Sequence, residues 1–230
     1  MTAASLLLVL ALTTVDFDIA TLPVSGDVRI ALAPVGRCEL RREGTVSHLK
    51  IDIDRVMPAS AFGPASNTLV VWAVSPEGIF DNLGELGVNG TKGQFSATTR
   101  LTQFGILISA EPHHMVDRPS SSVVYRSQAP EDIRRRTAHV EVGLFDYSGL
   151  KPSTGAAVHS SVIQARAAFQ IAQAAGAAQL APEDFRNAQA AVGALEELVS
   201  RAAPLDILWP TANEAIRWSQ RAATTARGKR

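Results

Sequence analysis

Most of the first two thirds of the chain alternates apolar and polar residues with a period of two, the spacing of half-buried β-strands. The alternation is clearest in residues 45–54, where Leu49, Ile51 and Ile53 form an apolar face and Asp52 and Asp54 lie on the other face. Successive side chains point to opposite sides of a strand, so the odd-numbered residues here should face the core. Other runs with strand character cover residues 27–34, 37–41, 68–74, 83–88, 94–98, 103–109, 122–126 and 138–144.

Turn-forming sequences separate these runs at intervals of about ten residues, as in all-β sandwiches. Glu43-Gly44, Ser75-Pro76-Glu77-Gly78 and Asn89-Gly90 predict turns, and the proline-containing segment 57–64 predicts an irregular connection. We therefore predict an antiparallel β-sandwich of immunoglobulin-like type over residues 24–146.

From residue 156 to residue 228 the period changes to that of α-helices, and alanine becomes abundant. Residues 147–155 predict a linker, and Pro182-Glu183-Asp184 resembles the first turn of a helix. The short connection between the first two helices predicts an antiparallel hairpin, and a weaker third segment after Pro210 would extend it to three helices. The predicted fold class is thus α+β. The three apolar stripes are Val158, Val162, Ala165, Phe169, Ala172 and Gly176; Phe185, Ala188, Val192, Leu195, Val199 and Ala202; and Leu208, Ala212, Ala215, Ser219, Ala222 and Ala226.

An apolar run of about ten residues, from Ala3 to Leu12, has the length of a signal-peptide core and is shorter than the roughly 20 residues that span a bilayer. We interpret residues 1–22 as a signal-like segment, which predicts export and no transmembrane span. The alternative is that the run is the first strand or helix of the mature fold.

Composition limits the classes of function. Hydrophobic residues make up 46% and charged residues 19% of the chain, which excludes disorder throughout. The net charge is zero, and the basic runs 134–136 and 227–230 lack interleaved aromatic residues, so we expect no nucleic-acid partner. Cys38 is the single cysteine, so no internal disulfide can form, and its alternating surroundings predict a buried strand position.

No constellation of residues predicts catalysis, a metal site or a cofactor. His113 and His114 are adjacent and would point to opposite faces of a strand, which disfavours chelation of one ion. Asp52 and Asp54 share a face that we expect to be exposed to solvent, and the serines at 120–122 fit turn chemistry. Asn89-Gly90-Thr91 matches a glycosylation sequon, although a hairpin turn explains it as well.

The three tryptophans invite different interpretations. Trp72 lies in the most apolar run and is expected in the core. Trp209 and Trp218 flank or lie on the last helix, where they either form an interaction surface or cover the helical hairpin.

The segments 70–78, 82–85 and 104–112 resemble an uncharacterised domain of bacterial envelope proteins, some of which carry an outer-membrane-protein-A-like domain. They are also distantly similar to the extracytoplasmic domain of anti-sigma-K factors. The resemblance covers residues 24–127. It implies a sandwich fold and an envelope setting, and it supplies no catalytic residue.

These observations together predict a non-enzymatic, exported cell-envelope protein, periplasmic or associated with the outer envelope. We expect a structural or protein-interaction module whose helical region binds an envelope protein or self-associates. The alternative is a carbohydrate- or peptidoglycan-binding β-sandwich that takes cell-wall glycan as its ligand.

Overall fold

The computed structural model describes residues 14–21, 34–127, 140–152 and 158–230. Strands and C-terminal helices both occur, which confirms the α+β class. The strands are β1 (Thr14–Thr21), β2 (Pro34–Glu43), β3 (Val46–Asp54), β4 (Thr68–Val74), β5 (Phe80–Glu85), β6 (Gly87–Asn89), β7 (Lys92–Thr99), β8 (Gly105–Glu111) and β9 (Val123–Ser127), and a 3₁₀ turn spans Ala59–Phe62. The helices are α1 (Ser160–Ala174), α2 (Ala177–Leu180), α3 (Pro182–Ser200) and α4 (Leu205–Arg227).

Within these described residues the nine strands form one antiparallel sheet in the order β5-β4-β8-β9-β1-β2-β3-β7-β6. The two ends of this order, β5 and β6, are consecutive in the chain, so the sheet curves back and is nearly closed. Leu86, between them, donates its backbone N–H to Leu69 at 2.8 Å. Residues 14–21 lie inside the predicted signal-like segment 1–22, yet they form β1 in the middle of this order.

The main hydrophobic core lies on the concave face of the sheet and contains the predicted odd-numbered residues of β3. Leu49, Ile51 and Ile53 are each at most 3% exposed, and Cys38 on β2 is fully buried, as predicted. Strands β2 and β3 approach closely at Gly36, where an added Cβ would lie 2.4 Å from the carbonyl oxygen of Asp52. Glycine is therefore required at that position.

Strand β4 is buried on both of its faces. Leu69 and Val71 contact the main core, whereas Val70 and Trp72 belong to a second cluster on the opposite face. That second face is covered by Val116, in the loop between β8 and β9, and by Tyr147, which follows the last strand in the chain. Burial on two sides explains why residues 68–74 read as an uninterrupted apolar run.

Several predicted boundaries differ from the structure. The predicted strand 83–88 is divided between β5, which pairs with β4, and β6, which pairs with β7. Residues 140–144 of the predicted strand 138–144 are not in a strand, so that part of the prediction is wrong. The apolar run at residues 3–12 and most of the predicted strand 27–34 lie outside the described residues.

The helices follow the predicted stripes, but their packing centres on the last helix. α4 packs along both α1 and α3, which contact each other less. It begins at Leu205, so Pro210 lies inside the helix and not before it. Pro182 occupies the first turn of α3 with Glu183 and Asp184, as predicted. None of the described helices has the length and apolarity needed to cross a membrane.

Candidate functional site

The sheet and the helices meet around Gln164, a residue of α1 that is 1% exposed. Its side-chain nitrogen donates to Glu85 Oε1 at 2.9 Å, and its oxygen accepts from the backbone N–H of His114 at 3.0 Å. Glu85 Oε1 also accepts from the Thr68 hydroxyl at 2.6 Å. One buried amide thus joins β4, β5, the loop after β8 and α1.

This contact also sets the tautomer of His114. Its Nδ1 lies 3.0 Å from Gln164 Oε1, and a carbonyl oxygen only accepts hydrogen bonds, so Nδ1 carries the hydrogen. In the neutral ring Nε2 is then an acceptor. Nε2 has no hydrogen-bond partner in the part of the chain that the structure describes.

Half-buried His114 borders an open cleft of about 460 Å³. The walls are β5 and the loop after β8, which the Asn82 side chain joins through hydrogen bonds to the carbonyl oxygens of His114 and Val116 at 3.0 and 2.9 Å. The Arg118 guanidinium lies 5.4 Å from the centre of the Phe80 ring. The lining thus combines an aromatic ring, a ring nitrogen and a carboxylate; its residues are Phe80, Asn82, Leu83, Gly84, His114, Met115, Val116 and Asp117.

A second polar network lies wholly inside the protein at the end of β8. Trp72 Nε1 donates to Ser109 Oγ at 2.8 Å, and Ser109 Oγ donates to Glu111 Oε1 at 2.5 Å. The same carboxyl oxygen accepts from the backbone N–H of Ser120 at 2.7 Å. Among the described residues, Glu111 Oε2 has no hydrogen-bond partner. Burial therefore raises the pKa of the Glu111 carboxyl to about 7, although the bonds from Ser109 and Ser120 act to lower it.

His113 is fully buried beside this network. Its Nδ1 accepts from the backbone N–H of Met115 at 3.2 Å, so Nε2 carries the hydrogen, and Nε2 finds no partner in the described segments. Burial lowers the pKa of the His113 imidazole to about 3, with smaller contributions from His114 and Arg227. The ring is consequently neutral at physiological pH.

Residues 140–152, which we call the connecting segment, cover the network from outside. Tyr147 packs into the cluster around Trp72, and Arg227 of α4 lies 3.7 Å from the centre of the Phe145 ring. Burial raises the pKa of the Tyr147 hydroxyl to about 12. Nearby Glu111 also acts to raise it, whereas Arg227, hydrogen-bonded to the hydroxyl, acts to lower it. The residues of the predicted linker that the structure describes here are thus packed against both regions.

Trp209 and Trp218 do not share a surface. They are nine residues apart on α4, which places them on opposite sides of the helix. Trp218 is half-buried, donates to Glu214 Oε1 at 2.6 Å and lies beneath Arg217 and Arg221. Trp209 is 56% exposed, next to Leu205, which is 48% exposed and one turn away.

The other residues considered from the sequence lie apart from this junction. Asp52 accepts from the Gln94 side chain at 2.9 Å, and exposed Asp54 lies 4.0 Å from Lys92. Asn89 begins the β6–β7 turn. No group of three or more histidine, cysteine or acidic side chains that could hold a metal ion occurs within residues 14–21, 34–127, 140–152 and 158–230.

The comparison with known proteins does not extend these observations. No protein-family model, curated protein or solved structure matches the chain.

Sequence reasoning missed the roles of Glu111 and Gln164. Glu111 stands at the end of an apolar strand, where a charged residue usually marks the exit to solvent, and the two-residue period places it on the face opposite to Ile108, so no local signal indicated its burial. Gln164 lies one residue before Ala165 of the predicted apolar stripe. Its position beside the stripe was the available signal that it faces another element.

Proposed function

We propose that this protein is a non-enzymatic interaction module of the cell envelope, which binds another envelope protein through the exposed start of α4. The observation that carries the proposal is the pair Leu205 and Trp209, which lie one turn apart and are each about half exposed. Exposed tryptophan beside aliphatic side chains is typical of interface anchors.

The helical stripes are a weaker candidate for this surface. Ala212, Ala215 and Ala222 of α4 are fully buried against the other helices. Docking through a bare alanine stripe would require the bundle to open. The start of α4 needs no such change, because the bundle leaves it exposed.

Matched variants on one helical turn test this proposal. Leu205→Asp places a charge in the surface, whereas Ile207→Asp places the same charge on the other side of the turn, where Ile207 is 46% exposed. An acidic residue is compatible with the first turn of a helix, so both variants should fold. We expect Leu205→Asp and Trp209→Ala to lose a partner captured from envelope extracts by crosslinking, and Ile207→Asp to retain it. Equal capture by all four proteins would contradict the proposal, and self-association would appear in light scattering as a dimer.

Placement in the envelope is part of the proposal and is supported by the apolar run at residues 3–12 and by the resemblance over residues 24–127. The position of β1 adds a condition. Cleavage after residue 22 would remove a strand that pairs with both β2 and β9. We therefore expect the exported protein to retain Thr14, which mass spectrometry of its N-terminus would establish. A mature chain beginning after Thr21, or an uncleaved chain confined to the cytoplasm, would contradict this placement.

The curved sheet would serve as the scaffold of the module, and we assign it to the sandwich-like class because one core lies between its two halves.

A carbohydrate-binding role is the second candidate, favoured by the cleft beside His114. Hydroxyl groups of a sugar could donate to His114 Nε2 and Asp117, with Phe80 beneath the ring. Asp117→Asn should then weaken sedimentation with cell-wall glycan, and Asp54→Asn should not. Absence of sedimentation for the unaltered protein would remove this candidate.

A further inference from the structure

The carboxyl group of Glu111 is placed to sense protons at the junction of the sheet and the helices. Oε1 already accepts two hydrogen bonds, from Ser109 Oγ and from the Ser120 backbone. Oε2 has no donor among the described residues and no contact with solvent. A negative charge on this carboxyl would therefore have hydrogen-bond donors at only one of its two oxygens. A neutral acid with its hydrogen on Oε2 avoids the free-energy cost of burying a charge without a donor at that oxygen.

Three elements pack around the group and bring charged or titratable side chains toward it. The connecting segment contributes the Tyr147 hydroxyl, which Glu111, Asp117 of the loop and Arg227 of α4 all influence. The loop also contributes His113, which is neutral and influenced by Arg227 and His114. Arg227 is the only arginine or lysine among the described side chains named here, and its guanidinium lies over the Phe145 ring.

We propose that the Glu111 carboxyl is a proton-operated latch: as a neutral acid it holds the connecting segment and the end of α4 against the sheet, and its ionisation loosens that contact. Ionisation requires solvent or a cation to reach Oε2. The connecting segment and Arg227 lie next to the carboxyl, because Tyr147 packs against the Trp72 cluster, is influenced by Glu111 and is hydrogen-bonded to Arg227. The transition falls near neutrality, since burial raises the pKa of Glu111 to about 7.

Trp72 supplies a built-in reporter of this state. Its indole N–H is two hydrogen bonds from the carboxyl, through the Ser109 hydroxyl. The nuclear magnetic resonance signal of that N–H should therefore shift when Glu111 ionises. Trp209→Phe and Trp218→Phe, which remove the other two indole signals, assign it without altering the network.

The experiment follows the Trp72 indole signal from pH 5 to pH 9 in the full chain. We expect a shift with a midpoint near pH 7 in the unaltered protein, its loss in Glu111→Gln, and its persistence in Glu77→Gln, which changes an exposed carboxyl. His114→Asn must also retain the shift, which excludes the neighbouring imidazole in the same loop as its source. Amide hydrogen exchange of residues 140–152, corrected for its intrinsic pH dependence, should accelerate at least tenfold above the midpoint and remain constant in Glu111→Gln.

Two outcomes would overturn the latch. One is a midpoint that persists in Glu111→Gln or disappears in His114→Asn. The other is a shift of the indole signal with no change in exchange of the connecting segment, which would reduce Glu111 to a buried acid without mechanical effect. Should Glu111→Gln fail to fold, the carboxyl carbon signals of the unaltered protein decide, because the latch requires one glutamate that titrates near pH 7.

Discussion

The sheet and the helices bury their surfaces with side chains of contrasting size. The sheet core is made largely of isoleucine, leucine and valine, with Trp72 and Tyr125 fully or almost fully buried. In the helices most buried residues are alanines, and Leu195 and Ile216 are among the few large ones. Large side chains fill the space enclosed by a curved sheet, whereas small ones let helix axes approach closely. The sheet should therefore be sensitive to lost volume and the helices to added volume.

The largest effect is expected from removing volume in the sheet. Ile51→Ala leaves a cavity beneath β3, where the side chain is fully buried, and should lower the free energy of unfolding by about 2–5 kcal/mol. Urea denaturation measures the loss. Ile79→Ala removes the same atoms from a side chain that is 55% exposed and should cost less than about 0.5 kcal/mol. Similar losses at the two sites would mean that the β3 face is not the core.

The next effect concerns pH, because two neighbouring buried groups, Glu111 and His113, change the free energy of unfolding in opposite directions as pH rises. The pKa of Glu111 is raised from 4.5 to about 7, so its contribution to stability is present below pH 4.5 and is lost as pH rises through 7. The pKa of His113 is lowered from 6.5 to about 3, so its contribution is present above pH 6.5 and is lost as pH falls through 3. Between pH 4.5 and 6.5 the two slopes oppose each other.

Glu111→Gln should expose the slope that belongs to His113. Relative to the unaltered protein, the free energy of unfolding of the variant should rise by about 1.4 kcal/mol per pH unit between pH 4.5 and 6.5. Urea denaturation at intervals of half a pH unit measures the difference, and Glu77→Gln serves as the control. A difference that does not vary with pH would show that the Glu111 carboxyl titrates alike in the folded and unfolded chains.

Added volume in the helices should have a smaller but clear effect. Ala215→Leu inserts three carbon atoms where α4 packs against its neighbours, and we expect a loss of about 1–3 kcal/mol. Ala194→Leu on the exposed side of α3 adds the same volume at no packing cost. Thermal unfolding compares them. An unchanged or raised midpoint in Ala215→Leu would indicate spare space in the bundle and remove the contrast with the sheet.

The sequence predicted features that depend on local spacing and missed those that depend on distant contacts. Leu49, Ile51 and Ile53 face the core because of the two-residue period, and Ala212, Ala215 and Ala222 are buried because of the helical period. The division of residues 83–88 could not be read in the same way, since β4 and β7 each pair with one half. Likewise, alternation alone would place Ser109 and Glu111 on an outer face. They are buried because the loop after β8 and the connecting segment cover that face.

The smallest effect tests whether the two regions unfold together. Gln164→Ala removes the amide that bonds Glu85 and the loop at His114, and we expect a loss of about 1–2 kcal/mol. Gln173→Ala, on the exposed side of the same helix, should change the free energy of unfolding by less than about 0.5 kcal/mol. The informative measurement is the agreement between two probes, Trp72 fluorescence for the sheet, in a background with phenylalanine at 209 and 218, and far-ultraviolet circular dichroism for the helices. We expect the two unfolding curves to coincide in the unaltered protein and to separate in Gln164→Ala, which would identify this amide as the connection that makes the sheet core and the helical core one cooperative unit. Curves that stay coincident in Gln164→Ala would assign the coupling to the apolar contacts of Tyr147 and Met115.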